Sequence, residues 1–111
     1  RTGACMSSTR GLIAFGETPA GDGQKNIDYV TIATLGNAKN FGDLTVGGQH
    51  PTGTSDSVRG VWLGRQNQSP YSDNEVIDYV TIATQGDAVD FGNLTDDTSM
   101  PASASTGHGG L

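Results

Sequence analysis

Residues 27–46, IDYVTIATLGNAKNFGDLTV, recur 50 positions later as residues 77–96, IDYVTIATQGDAVDFGNLTD. Fourteen of the 20 aligned positions are identical, and the first eight residues, IDYVTIAT, are unchanged. A fixed period of this length is typical of proteins that stack copies of one supersecondary unit. We therefore interpret the chain as a tandem repeat.

The similarity extends upstream of this block. TRGLIAFG at residues 9–16 aligns with VRGVWLGR at residues 58–65. TGACMSSTRG at residues 2–11 matches TGTSDSVRG at residues 52–60, with one residue deleted. Each unit therefore spans about 50 residues, which is within the range of β-propeller blades.

The chain divides into two whole units and part of another. We assign repeat 1 to residues 1–50 and repeat 2 to residues 51–100. The final stretch contains STGHGGL and resembles the beginning of a further copy. Residues 101–111 are accordingly interpreted as the start of a truncated third repeat.

Each repeat contains four stretches with the composition of β-strands. IDYVTIAT is dominated by β-branched and aromatic residues, and glycine-bounded apolar runs such as GLIAFG precede it. No segment has the apolar period of a helix. The sequence predicts an all-β fold of tandem, four-stranded repeats, each similar to a β-propeller blade. The alternatives are a β-solenoid and a stack of hairpin sheets.

The repeated strand carries apolar residues on both of its sides. Alternation places Ile27 and Tyr29 on one side and Val30 and Ile32 on the other. A strand with two partly apolar sides is expected to lie between two layers. We also expect Asp28 to form an ion pair with Arg10 of a neighbouring strand, and Asp78 to pair with Arg59.

Composition and charge exclude several classes of protein. The chain has 111 residues, a net charge of −6 and only six Lys and Arg residues, which argues against binding to nucleic acid. Because no apolar run approaches about 18 residues, no membrane-spanning helix is predicted. The single cysteine, Cys5, cannot form an internal disulfide.

Few side chains have a sequence context that predicts catalysis. His50 and His108 lie in glycine-rich linkers. The motifs HExxH and CxxC are absent, and no serine has the context of a nucleophile elbow. The sequence therefore predicts a protein that is not an enzyme and that needs no metal or cofactor.

Three positions exchange Asn and Asp between the repeats. The exchanged pairs are Asn37 and Asp87, Asn40 and Asp90, and Asp43 and Asn93. Such an exchange changes the charge but keeps a carbonyl-type acceptor, which a turn-stabilising hydrogen bond requires and a metal site does not tolerate. We interpret all three positions as turn-stabilising.

The segment before IDYVTIAT varies most between the repeats. It comprises residues 17–26 in repeat 1 and residues 65–75 in repeat 2. Variable loops on a constant scaffold commonly carry binding surfaces. The candidate ligand-binding residues here are Trp62, Arg65, Tyr71 and Asp73. Trp62 has a second interpretation, in which it packs between repeats.

STRG, a short apolar strand, IDYVTIAT, GNA and FGDLT together resemble tandem repeats of kelch-like virion and tail-fibre-like proteins of aquatic phages, including cyanophages. The resemblance covers nearly the whole chain. In that family the first strand usually ends in two or three glycines. Here Gly16 precedes Glu17 and Gly64 precedes Arg65, so we expect a different turn.

The resemblance implies a structural or adhesive role without chemistry. The chain would act in a virion fibre or another extracellular assembly, as a homo-oligomer or beside neighbouring repeats of a longer chain. The alternative is a lectin-like propeller module that binds a surface glycan through loops 17–26 and 65–75.

Overall fold

The computed structural model describes residues 2–14, 16, 18, 23–68 and 71–105. The strands of these residues form two four-stranded antiparallel sheets, and each sheet is a simple meander. Sheet 1 contains β1 (Gly3–Met6), β2 (Arg10–Ala14), β3 (Gln24–Thr31) and β4 (Lys39–Gly48). Sheet 2 contains β5 (Thr52–Ser55), β6 (Arg59–Gln68), β7 (Tyr71–Thr81) and β8 (Val89–Thr98). The all-β prediction is confirmed.

The two sheets have the same strand register. In sheet 1, Leu12 lies opposite Tyr29. In sheet 2, Val61 lies opposite Tyr79 in the same way. The strands of sheet 1 lie within residues 3–48 and those of sheet 2 within residues 52–98. In the part of the chain that the structure describes, no helix is long and apolar enough to cross a membrane.

Polar caps fix the turn between the first two strands of each sheet. In sheet 2, the N–H groups of Val58 and Arg59 donate to Asp56 Oδ1 at 2.7 and 2.6 Å. The bonds from Arg59 and Val58 lower the pKa of the Asp56 carboxyl. In sheet 1, Ser7 Oγ accepts the N–H of Arg10 at 3.2 Å. A short polar side chain thus replaces the missing backbone partner in both turns.

Equivalent strands of the two sheets bury opposite sides. We name the side of each sheet that carries the tyrosine of IDYVTIAT the tyrosine face, and the side that carries its aspartate the aspartate face. In β3 the buried residues are Ile27 and Tyr29, whereas in β7 they are Asp78 and Val80. The tyrosine face of sheet 1 therefore packs on the aspartate face of sheet 2.

The core lies between these two faces as a single apolar cluster. Sheet 1 contributes Cys5, Leu12, Ala14, Ile27, Tyr29, Phe41 and Leu44 to it. Sheet 2 and its following turn contribute Trp62, Val80, Ile82 and Ala88. The Tyr29 and Phe41 rings meet edge to face, with centroids 5.9 Å apart. Removal of this surface from water is the main stabilising contribution.

The turn after β7 lies directly on β4. Gly86 N donates to Phe41 O at 3.0 Å, and Ala88 N donates to Asp43 O at 2.8 Å. A side chain at Gly42 would collide with the carbonyl oxygen of Gly86. Glycine at position 42 therefore permits the backbone contact that joins the sheets at this edge.

Replacement of Gly42 by alanine should weaken this contact. We expect Gly42→Ala to lower the free energy of unfolding by about 1 to 3 kcal/mol, because the added methyl must displace the backbone of the turn. Urea unfolding followed by circular dichroism measures the change. In the control, Gly86→Ala, the added Cβ meets no heavy atom within 4 Å, so the change should stay within about 0.5 kcal/mol. Equal effects of both variants would contradict the assigned contact.

Candidate functional site

A buried ion pair ties sheet 2 to sheet 1. Arg65 Nη2 donates to Asp78 Oδ2 at 2.7 Å, and both side chains are fully buried. Asp78 also accepts two hydrogen bonds from Thr45 in sheet 1: one from its N–H at 3.0 Å and one from its hydroxyl at 2.5 Å. The carboxylate therefore has donors from both sheets, as a buried charge requires.

Arg65 contributes to the same connection with its other terminal nitrogen. Arg65 Nη1 donates to the backbone oxygen of Val46 at 3.0 Å. Burial lowers the pKa of the guanidinium, and the charge and hydrogen bond of Asp78 oppose this effect. A Cβ at Gly48 would lie 2.9 Å from Arg65 Cβ, so glycine leaves room for the arginine. The pair thus has a structural role.

The four predicted ligand-binding residues do not form one surface. Trp62 is fully buried between the sheets, and its Nε1 donates to Gly3 O at 3.3 Å. Arg65 is equally buried in the ion pair. Neither can reach a ligand at the surface, because each packs on the aspartate face of sheet 2 against sheet 1. For Trp62 the structure supports packing between repeats.

The other two candidates lie further along the β6–β7 hairpin. Asp73 is half-buried and accepts a hydrogen bond from Gln66 Nε2 at 3.1 Å. The side chain of Tyr71 lies outside the described residues. Of these two candidates, Asp73 therefore has a described side chain that solvent reaches in part.

The expected pairing of Asp28 with Arg10, and of Asp78 with Arg59, is wrong. Arg10 and Arg59 lie on the tyrosine faces, where each guanidinium is 4.8 Å from the centroid of a tyrosine ring, Tyr29 or Tyr79. The aspartates point to the opposite side of the sheet. Alternation along the strands keeps the two charges apart.

The positions that exchange Asn and Asp have different roles. Asp90 Oδ1 accepts the nearby N–H of Gly92 at 3.0 Å, but at a register shift inside β8 and not in a turn. Asp87 Oδ1 accepts the N–H of Asp43, 44 residues away, and thereby joins the two sheets. Asn93 Nδ2 donates to Glu75 Oε1 at 3.1 Å. Asp90 and Asp87 use the acceptor that Asn and Asp share, but the Asp87 contact crosses the interface and Asn93 acts as a donor. The turn-stabilising interpretation therefore does not describe the contact that any of these three residues makes.

The two outward faces are the candidate functional surfaces. On the tyrosine face of sheet 2, Phe91 is 56% exposed, whereas its counterpart Phe41 is 3% exposed in the core. On the aspartate face of sheet 1, Ile32 is 50% exposed, whereas its counterpart Ile82 is 1% exposed. Each outward face therefore presents residues that the other repeat buries.

The end of the described chain lies along β5. Thr52 Oγ1 donates to Pro101 O at 2.5 Å, Ser103 Oγ donates to Gly53 O at 2.9 Å, and Ser105 Oγ donates to Ser55 O. The last contact repeats one inside the molecule, in which Ser55 Oγ donates to Met6 O at 2.8 Å. Residues 101–105 therefore contact β5 much as β5 contacts β1.

Comparisons with known proteins do not assign the chain to a family. No protein-family model matches the chain, and no curated protein matches it in sequence. Among the described residues, no three His, Cys, Asp or Glu side chains are grouped to hold a metal ion. The geometry of the sheets and their faces is therefore the basis for a functional proposal.

The buried ion pair should contribute strongly to stability. We expect Arg65→Met to lower the free energy of unfolding by about 3 to 5 kcal/mol, because it leaves Asp78 charged and partly unpaired in the interior. Arg59→Met, in the same strand, removes an exposed arginine that stacks on Tyr79 and should cost about 1 kcal/mol or less. Denaturant midpoints of the two variants provide the measurement. Comparable losses would contradict the structural role of the pair.

Cys5 should be unreactive in the folded protein. Its thiol is buried, and desolvation raises its pKa to about 12. We expect a disulfide reagent to label Cys5 at pH 8 only after the chain is unfolded in denaturant. Absorbance of the released thiolate measures the rate. Rapid labelling of protein whose circular dichroism is native would contradict the buried position.

Proposed function

We propose that this chain is a non-enzymatic structural repeat protein that acts by self-assembly. The observation that carries the proposal is that the two sheets bury different faces. Sheet 1 buries its tyrosine face and leaves its aspartate face outward, and sheet 2 does the reverse. The two outward faces are unlike each other, and each has the residue pattern of a face that is buried inside the molecule. Such a molecule can extend its own stack by adding further units.

The proposed architecture is a stack of propeller-blade-like units. Both units are four-stranded antiparallel meanders packed face to face, which is the arrangement of blades. Contacts between unlike faces build rings when the rotation between units closes, and filaments when it does not. Three copies of this two-unit chain would supply six blades. Neighbouring repeats in a longer chain would extend the stack in the same way.

The setting that we propose is a virion fibre or another extracellular assembly, with adhesion to a surface as an accompanying role. The resemblance of the repeats to virion and tail-fibre-like proteins supports this setting. The interior polar residues support a structural role, since Asp78 pairs with Arg65 within sheet 2 and accepts two hydrogen bonds from Thr45 of sheet 1.

A lectin-like module is the less favoured proposal. Two of its four candidate contacts, Trp62 and Arg65, are fully buried in the interior. A glycan site would have to be built from other residues, such as Asp73 and its neighbours on the β6–β7 hairpin.

Self-assembly predicts a mass that rises with protein concentration. We expect analytical ultracentrifugation of the full chain to show species of two or more copies, because both apolar outward faces lose water on contact. Electron microscopy of the same sample distinguishes closed rings from filaments. A folded chain that stays monomeric up to millimolar concentration would contradict the proposal.

A further inference from the structure

The outward tyrosine face of sheet 2 has the same side-chain geometry as the tyrosine face of sheet 1, which is buried in the core. The Tyr79 and Phe91 rings meet edge to face with centroids 5.9 Å apart, the same separation as for Tyr29 and Phe41 in the core. Arg59 lies 4.8 Å from the Tyr79 centroid, as Arg10 does from Tyr29. The face is therefore preorganised for a contact that the molecule makes once internally.

A groove crosses this face and leaves space for a partner. It has a volume of about 430 Å³. Its lining includes Thr54, Arg59, Val61 and Phe91 from the sheet, and Ser105 at its border. The corresponding region of sheet 1 is covered in the molecule by β5 and β6. Val61 and Phe91 offer apolar surface to the aspartate face of a repeat, and Arg59 offers a donor, while Asp56 adds a carboxylate at the same groove.

The aspartate face of sheet 1 has the matching residues. Val30 and Ile32 correspond to Val80 and Ile82, which fill the internal contact. Inside the molecule Arg10 Nη1 donates to Ile82 O at 3.0 Å. Arg59 of one molecule is equivalent to Arg10, and Ile32 O of another is equivalent to Ile82 O. The same hydrogen bond can therefore form between two copies.

We infer that the tyrosine face of sheet 2 binds the aspartate face of sheet 1 of a second copy, in the geometry of the internal contact, and that residues 101–105 compete with this binding. The inference rests on the proposed self-assembly and names its interface. The occupant is a second copy, because its sheet 1 carries the required side chains and continues an interface that the molecule already contains.

The competition follows from the place of residues 101–105. Ser103 and Ser105 donate to backbone oxygens of β5. In the internal contact, β5 of sheet 2 occupies the equivalent place on β1, with Met6 N bonded to Ser55 Oγ at 3.1 Å. The first strand of a docking copy would need the space that residues 101–105 fill. Their release therefore precedes or accompanies docking.

The contact between copies differs from the internal one at charged positions, two of which are Arg65 and Asp87, with Gly16 and Asn37 as their counterparts. Asp28 corresponds to Asp78, and Thr95 corresponds to Thr45, but Gly16 stands where repeat 2 has Arg65. In the docked arrangement, Asp28 of one copy would accept hydrogen bonds from Thr95 of the other copy. No arginine would stand at the position equivalent to Arg65. We expect Asp28→Asn to tighten association on the order of tenfold, because it removes a buried charge without an equivalent partner.

Two variants, each with a substitution on a different outward face, and a mixture of the two variants test the interface. Phe91→Asp disables the tyrosine face of sheet 2, and Ile32→Asp disables the aspartate face of sheet 1; both side chains are exposed, so folding should be retained. Each variant alone should be monomeric where the unchanged chain assembles. An equimolar mixture should form a one-to-one dimer that does not grow. The Phe91→Asp variant keeps its aspartate face intact, the Ile32→Asp variant keeps its tyrosine face intact, and only these two faces can meet.

Val58→Asp is the matched control, because Val58 is exposed and its counterpart Thr9 stays exposed in the internal contact. It should assemble like the unchanged chain. If the unchanged chain assembles and Phe91→Asp and Ile32→Asp assemble equally well, this interface is overturned while self-assembly stands. If the unchanged chain is monomeric, both the proposed function and the interface are overturned.

A further variant of the full chain tests the competition. Replacing Ser103 and Ser105 together by alanine removes two hydrogen bonds that hold the segment on β5. Association should then tighten by roughly five- to tenfold in sedimentation equilibrium. Unchanged or weaker association would overturn the competition and would show that the segment does not oppose docking.

Discussion

The structure depends on one constraint: the IDYVTIAT strand has apolar residues on both of its sides, and one neighbouring sheet can cover only one of them. In repeat 1 the tyrosine side is covered, and in repeat 2 the aspartate side is covered. The identical strand therefore packs in two complementary ways within one molecule. Stacking satisfies both sides only for units that have a neighbour on each side.

Much of the fold could be predicted from the repeat. Identity between residues 27–46 and 77–96 indicates equivalent units, and the glycine-bounded apolar runs indicate the shorter strands. The structure contains one four-stranded sheet for each unit. These features depend on local composition and alternation, which a single sequence contains.

The candidate site was less accessible to sequence reasoning, and the errors have a common cause. Residue type alone predicts Trp62 and Arg65 at a binding surface and pairs arginines with aspartates, because it contains no register between strands. Once Leu12 is opposite Tyr29, alternation places Arg10 on the tyrosine side and Asp28 on the other. A bulge after Leu63 then shifts the pairing, and Arg65 lies on the buried side with Asp78. The types of residue in a sequence do not show where such a bulge occurs.

The position of the thiol has a consequence for how copies of this chain can meet. Cys5 lies opposite Leu12 on the covered tyrosine face of sheet 1, and its sulfur fills the space beside Gly60. The equivalent position in sheet 2 is Thr54, opposite Val61 on the outward face. The outward face thus presents a hydroxyl where the covered face has a thiol. In the proposed contact between copies, this position would consequently be insensitive to oxidants and could not be locked by a disulfide.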